Sequence, residues 1–268
     1  MFRHLCRFFI FLFCTVPAFV QAGVVPLASH RAVYDLTLKK LHQEGGIQNV
    51  RGRIVMEVEN QCEGYVVNQR MLVELVNLEG VVITSDFHLS TWEDKKGDTM
   101  RFSMSNVLNG KPVEKSDGIA RMEDGEGTVS FRDDENESFT LPKGVLFPTA
   151  HTLEILKSAR AGKNLVSAKV YDGNGAEGLQ DSLTVIGKRN AAKKKMAEKP
   201  EMENLPYWPV QLAYFDLKGQ TNEPDYEVGI NLYENGVASD LTLKYKDFSL
   251  SGELVQLDFL QAANCPNN

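Results

Sequence analysis

LPKGVLFPTAHTLEILKSARAG, residues 141–162, is the one segment of this 268-residue chain whose pattern clearly predicts a helix. Pro148 suits a first helical turn, where its missing N–H would have no partner, and Thr149 is a plausible N-cap. Gly162 is a natural stop, since glycine readily adopts the left-handed conformation that ends a helix. The apolar positions form one wide stripe, Leu153, Ile155, Leu156 and Ala159, and the other side carries Glu154, Lys157 and Ser158.

Most of the remaining chain alternates apolar and polar residues with the period of two that predicts β-strands. In one such segment, Ala32, Tyr34 and Leu36 share a face. Asn-Gly pairs at 109–110 and 235–236 are strong hairpin signals. About twelve to fourteen strands joined by short turns predict a mainly β fold, a single curled antiparallel sheet like an open barrel, with the helix covering an opening. One helix is too few for the crossovers of a parallel sheet.

The first 22 residues predict a cleaved secretory signal peptide. Arg3 and Arg7 form a basic start, and Phe8–Val20 is an apolar run too short to span a bilayer comfortably. Ala22 ends a cleavage site of the small-residue type. An uncleaved membrane anchor is the less favoured alternative.

The predicted mature chain, 23–268, keeps two of the four cysteines, Cys62 and Cys265, and its length fits one large β domain or two small ones. Disulfides persist outside the cytoplasm, and two cysteines allow one intramolecular pairing. A structural disulfide between an early strand end and the last residues is therefore predicted. A redox or metal pair is less favoured, because the sequence has no C-x-x-C and no histidine near either cysteine.

Charge and motifs argue against several function classes. The formal net charge of −7 disfavours nucleic-acid binding. The sequence contains no G-x-S-x-G, H-E-x-x-H, P-loop or Rossmann fingerprint. The DGNG segment 172–175 is similar to the start of a calcium loop, but Ala176 and Leu183 stand where further ligands are required, so a turn is favoured. We predict a protein without enzymatic activity, catalytic residues, cofactor or metal.

Two residue pairs are candidates for interaction or packing. His151 and Thr152 lie at the start of the predicted helix. His151 is either a ligand contact or, as we favour, a histidine satisfied by a cap or a backbone group. Tyr207 and Trp208 begin a predicted strand, as a sheet-corner anchor or, less favoured, an exposed binding patch.

A third candidate is the polar stretch 188–203. It has low complexity and carries three consecutive lysines at its centre, Lys193, Lys194 and Lys195. The composition predicts a mobile, solvated basic loop, and partner binding is the alternative.

Together these features resemble the bacterial envelope-integrity protein B family, EipB. The segment GVLFPTAHT at 144–152, YDG at 171–173 and YWP at 207–209 are similar to the recurring patches of that family. Each motif is short, and their order together with one early and one C-terminal cysteine gives the resemblance its specificity. The likeness covers nearly the whole predicted mature chain.

The resemblance implies a single periplasmic domain at 23–268, a β-spiral, which is an incompletely closed barrel-like sheet carrying a helix. It also implies the disulfide Cys62–Cys265 and a role in maintaining the cell envelope as a non-enzymatic scaffold or binding protein. The implied partner is a periplasmic tetratricopeptide-repeat protein. A carrier of lipid or another apolar ligand in a half-barrel groove is the runner-up expectation, with a lipid or the envelope surface as a further contact. The oligomeric state stays open.

Overall fold

The structure, a computed structural model, describes residues 26–42, 46–132, 138–192, 196, 199–217, 223–261 and 263–265. The predicted signal peptide lies outside these residues. Within the described ranges, no helix combines the length and hydropathy needed to cross a bilayer.

The described chain consists mainly of long strands that follow the alternating pattern of the sequence, together with helix α1 (Pro148–Arg160). Two short 3₁₀ turns lie at Gly175–Gly178 and Pro200–Met202. The strands are β1 (His30–Leu41), β2 (Ile47–Asn60), β3 (Gly64–Asn77), β4 (Val82–Asp94), β5 (Thr99–Leu108), β6 (Lys111–Glu123), β7 (Glu126–Phe131), β8 (Ser138–Leu141), β9 (Val145–Leu146), β10 (Leu165–Tyr171), β11 (Leu179–Ile186), β12 (Tyr207–Asp216), β13 (Tyr226–Tyr233), β14 (Ala238–Tyr245) and β15 (Phe248–Phe259).

All fifteen of these strands belong to one sheet, in the order β8-β7-β6-β5-β4-β3-β2-β1-β15-β14-β13-β12-β11-β10-β9. The pairing is antiparallel except for a two-residue parallel contact between β9 and β10. β1 pairs with β15, so the first and last strands meet in the middle of the sheet. The predicted curled antiparallel sheet with a helix is confirmed. The predicted number of strands was too low by at least one, because a two-residue strand such as β9 leaves no periodic pattern.

The two outer strands, β8 and β9, form a seam where the curled sheet does not close. Side chains bridge this seam in place of backbone hydrogen bonds. Tyr171 at the end of β10 contacts Phe102 and Phe139 edge-on, with ring centroids 5.7 and 5.6 Å apart. Val145 and the fully buried Phe147 join the same cluster. Aromatic packing therefore holds the two ends of the sheet together.

Helix α1 packs its apolar stripe against the inner face of β10–β13, where Ile155, Leu156 and Ala159 meet Trp208. Pro148 lies in the first turn, as predicted, and is the first residue of the helix. Its predicted stop is also confirmed: Gly162 has a φ of +72°, and the Gly162 N–H donates to the Ala159 carbonyl over 3.1 Å.

Two details of the predicted helix are wrong. Phe147, not Thr149, is the N-cap residue, and it provides no side-chain hydrogen bond. Ser158, placed on the polar side, is buried and donates to Glu154 Oε1 over 3.4 Å. A small residue at this position allows the helix to lie close to the sheet, so the buried face is wider than the apolar stripe.

Apolar residues in the described part of the stretch 188–203 pack against the core, whereas Lys188 and Arg189 are exposed. The mobile, solvated loop stays a prediction. Met202 is fully buried, and Ala192 and Met196 contact the same apolar cluster. Two or three apolar side chains within a polar segment are enough to hold their part of it against a core. The lysines lie outside the described residues, Lys193, Lys194 and Lys195.

Tyr207 and Trp208 occupy the favoured position, at a corner of the sheet. Trp208 is 4% exposed within the cluster that receives α1. The ring of Tyr207 packs against that of Tyr233, with centroids 5.2 Å apart. The exposed binding patch is therefore not what the structure shows at these residues.

The structure contains the predicted disulfide. Cys62 follows β2, Cys265 follows β15, and their Cα atoms are 5.5 Å apart. The bond fastens the end of the chain to the β2–β3 turn across a sequence separation of 203 residues.

Candidate functional site

A groove lies between α1 and the turn that joins β4 to β5. We call it the α1 groove, and its volume is about 660 Å³. Tyr65, Leu153 and Ala161 give it apolar walls. Its charged side chains come from both sides, Glu93, Asp94, Lys95 and Lys96 from the β4–β5 end and Glu154, Lys157 and Arg160 from the helix.

Glu93, the next-to-last residue of β4, fixes the start of α1 at one end of this groove. Its carboxylate accepts hydrogen bonds from the Thr149 N–H (2.8 and 3.0 Å to the two oxygens) and from the Ala150 N–H (3.2 Å). Glu93 is 1% exposed. Phe147, the N-cap residue, has no side-chain acceptor for the first N–H groups of the helix. The Glu93 carboxylate, from another strand, accepts from these groups instead and its negative charge complements the helix dipole.

The pKa of Glu93 reflects two opposing effects. Burial raises the pKa, because it disfavours the charged form, and the N–H groups of Thr149 and Ala150 act in the opposite direction. Burial is the larger effect. Sequence reasoning missed Glu93 altogether. The available signal was its position in the inward-facing register of β4, two residues after the buried Thr91.

His151 is buried one turn into the helix. Its backbone N–H donates to the Phe147 carbonyl over 2.8 Å, and its Nε2 atom has no hydrogen-bond partner among the described residues. Burial lowers its pKa to about 4, so the imidazole is neutral at physiological pH. The favoured interpretation, a histidine satisfied by a cap or a backbone group, finds no such partner for Nε2 among the described residues. Thr152 has a structural role: its hydroxyl donates to the Pro148 carbonyl over 3.0 Å.

Three of the cations along the groove are engaged by neighbouring groups. Lys95 lies over the ring of Tyr65, 3.6 Å from its centroid, and donates to Asn60. Lys157 pairs with Glu154 over 3.0 Å. Arg160 pairs with Glu234, also over 3.0 Å. The groove thus combines an apolar surface with balanced charges of both signs.

A second carboxylate, that of the half-buried Asp172, lies where β10 ends at the seam. Its Oδ1 accepts from the Asn174 N–H over 2.9 Å, and its own N–H donates to Gly178. This geometry agrees with the predicted turn at 172–175. Burial and, to a smaller extent, the charge of Glu114 raise the pKa of Asp172 to about 6. In the described part of the chain, no group of three or more histidine, cysteine or acidic side chains could hold a metal ion.

The pKa of Asp172 leads to a pH-dependent stability. Because its value in the folded protein, about 6, lies above the ordinary 3.8, the folded state binds a proton more tightly than the unfolded state between these values. The contribution of Asp172 to stability therefore increases as the pH falls from 7 towards 4. We expect wild type to gain roughly 1–3 kcal/mol relative to Asp172→Asn over this range. Urea unfolding at pH 7, 6, 5 and 4 measures the difference.

The matched control is Asp258→Asn, which removes one exposed carboxylate elsewhere on the protein. Parallel profiles for wild type and Asp172→Asn would contradict the prediction, since the difference between the two proteins isolates this carboxylate from the other titrating groups.

Comparisons with known proteins point to one family. The sequence model of the EipB-like family matches residues 21–261. The curated "Cell envelope integrity protein EipB" of Brucella abortus (strain 2308) is 35% identical over 243 residues, covering 88% of this chain and 86% of that protein. A crystal structure of a beta-barrel-like protein of a domain of unknown function from Brucella abortus is 32% identical with a TM-score of 0.80, covering 88% of this chain and 100% of that one. The chain therefore belongs to the EipB-like family.

Proposed function

We propose that this chain is a non-enzymatic binding protein of the bacterial periplasm that supports the integrity of the cell envelope through protein–protein interaction. The name of the Brucella abortus relative supports the envelope role. The disulfide between Cys62 and Cys265 supports an oxidising compartment such as the periplasm. Export through a cleaved signal peptide at 1–22 belongs to the same proposal.

The proposal that the protein is not an enzyme rests on the hydrogen bonding of Glu93, the buried carboxylate of the α1 groove. A general acid or base must reach a substrate with a free proton or lone pair. Glu93 instead accepts three hydrogen bonds from the backbone of α1 at 2.8–3.2 Å. The carboxylate is therefore occupied in holding the helix. What the groove offers to a partner is an apolar wall with charges on its rim, which suits recognition of another protein.

The partner that we propose is a periplasmic tetratricopeptide-repeat protein. Such arrays present a long concave surface formed by helical repeats. The exposed, charged side of α1 with Lys157 and the apolar wall at Leu153 would meet such a surface together.

A second candidate, a carrier of lipid or another apolar ligand, is favoured by one observation. On the inner face of β4, away from α1, the side chains of Ile83, Phe87 and Leu89 are only half-buried. On the inner face of β12 and β13, Tyr214 and Tyr226 stack with centroids 4.7 Å apart. An apolar ligand would cover such surfaces.

Charge reversal of two lysines at the rim of the α1 groove, Lys96 and Lys157, tests the proposed function. In a strain that lacks the gene, we expect the wild-type chain to restore growth on detergent and Lys96→Glu/Lys157→Glu to restore it roughly tenfold less. The matched control is Lys111→Glu/Lys246→Glu, because both lysines are exposed and lie at the opposite ends of the strands. Pull-downs from periplasmic extract should recover a protein partner with wild type and the control.

Two results would contradict the proposal. A deletion strain as detergent-resistant as its parent would remove the envelope role. A wild-type protein that carries extractable lipid through purification and captures no protein would favour the carrier.

A further inference from the structure

One side of β10 leaves part of its backbone unpaired. The Ile186 N–H donates to the Asn164 carbonyl over 2.9 Å. In an antiparallel pair, every second residue of a strand directs its backbone N–H and C=O to the same neighbouring strand. Because Asn164 bonds to β11, so do Val166 and Ala168. The backbone groups of Leu165 and Ser167 therefore face the opposite side, away from β11. On that edge β9 pairs only with Lys169 and Val170. Leu165 and Ser167 have no backbone hydrogen bond to another described residue there.

The outer surface next to this free edge is apolar. Leu165 is 55% exposed, and its cross-strand partner Val185 is 50% exposed. Leu183, opposite Ser167, is 37% exposed. Helix α1 packs on the inner face and leaves these three side chains uncovered. A free edge with exposed apolar neighbours is a template for another strand, and Leu165–Ala168 contains neither proline nor an inward-facing charge to prevent such pairing.

The other edge of the seam lacks this combination. On β8 the outward-facing residues are Ser138 and Thr140, and their partners on β7 are Ser130 and Thr128. The surface beside β8 is therefore polar, although its backbone is also unpaired on one side. Of the two described edges of the seam, the β10 edge is the one that joins free backbone groups to a surface that gains from being covered.

Basic residues surround the start of the β10 edge. Lys163 precedes β10, and Lys188 and Arg189 follow β11 at the same end of the strand pair; all three are exposed. An added strand would place its own end beside these cations. Acidic residues at that end would be attracted, and basic residues would be repelled.

We propose that the free edge of β10 receives an extended segment of a partner protein as an additional strand. The segment forms backbone hydrogen bonds to Leu165 and Ser167, covers Leu165, Leu183 and Val185 with alternate apolar residues, and carries acidic residues beside Lys163. This recognition mode rests on the proposed function, because it specifies how a protein partner is bound.

Binding of a fluorescein-labelled nonapeptide of alternating valine and threonine, with glutamates at both ends, tests the proposal by fluorescence anisotropy. Ser167→Pro removes the N–H that faces the free edge and keeps the ladder to β11, so we expect affinity to fall at least tenfold with an unchanged melting temperature. Thr140→Pro is the matched control on the β8 edge and should bind as wild type. A lysine-flanked version of the peptide should bind more weakly.

Val185→Asp provides a second variant. The folded protein tolerates a charge at this exposed position, but the added strand loses an apolar contact, so peptide affinity should fall. Equal binding by wild type, Ser167→Pro and Val185→Asp would overturn the proposal, as would an equal loss in Thr140→Pro. A wild-type dimer in solution that Ser167→Pro converts to a monomer would also overturn it, because the edge would then pair with a second copy.

The growth assay separates this proposal from the proposed function. If Ser167→Pro restores growth on detergent fully and Lys96→Glu/Lys157→Glu does not, the β10 site fails and the proposed function stands.

Discussion

The Glu93→Ala variant is expected to lose about 2–4 kcal/mol of unfolding free energy, because it leaves the N–H groups of Thr149 and Ala150 without acceptors in a buried site. The variant removes the hydrogen bonds that attach the start of α1 to strand β4. Because α1 covers the apolar surface around Trp208, a detached helix would expose that surface. Urea denaturation measures the loss, and limited proteolysis shows whether cleavage begins near 147–152.

Two further variants make the Glu93 result interpretable. Glu93→Gln keeps the shape and one accepting oxygen, so we expect about half the loss. Glu154→Ala removes a carboxylate of the same helix that pairs with Lys157 near the surface, and its cost should stay within about 1 kcal/mol. If Glu93→Ala proves as stable as Glu154→Ala, the carboxylate does not hold the helix.

The second large effect is expected from removal of the disulfide. In the chain-entropy model, a cross-link across 203 residues stabilises a fold by about 5 kcal/mol, since it restricts the unfolded chain. Cys265 lies in an exposed terminal segment, so its replacement by serine removes few packing contacts. Most of the loss should therefore come from the unfolded state. Differential scanning calorimetry of wild type and Cys265→Ser measures it.

The control for this prediction is the reduced wild-type protein. Cys62→Ser, Cys265→Ser and the double variant should all melt at the temperature of the reduced protein, because each lacks the same single bond. An oxidised wild type that migrates and melts as the reduced form does would contradict a structural role for the disulfide.

Local patterns were enough to predict most of the architecture. Period-two alternation predicted the strands, and Pro148 and Gly162 marked the helix near its true limits. The pairing of Cys62 with Cys265 followed from the predicted loss of Cys6 and Cys14 with the signal peptide, which leaves two cysteines and one possible intramolecular pair. These features depend on residues close together in the sequence or on the number of cysteines, and both can be read from a single sequence.

The missed features depend on contacts between distant segments. Glu93 caps a helix that begins more than fifty residues later, and nothing near Thr149 indicates an acceptor from another strand. The burial of Ser158 and Met202 likewise follows from the surfaces they meet, which a polar local composition conceals. The β10 edge became visible only when the register with β9 and β11 showed which backbone groups lack partners.

The pairing of β1 with β15 has a consequence for biogenesis. A chain synthesised from its N-terminus delivers β1 first and β15 last, so the side of β1 that pairs with β15 stays uncovered until synthesis is nearly complete. Hairpins from β2 to β7 join sequence neighbours and can form as the chain is made, whereas the contact of His30 with Phe259 requires closure of almost the whole chain. The centre of the sheet is thus the last part to assemble, and incomplete chains would expose an unpaired strand edge to one another until then.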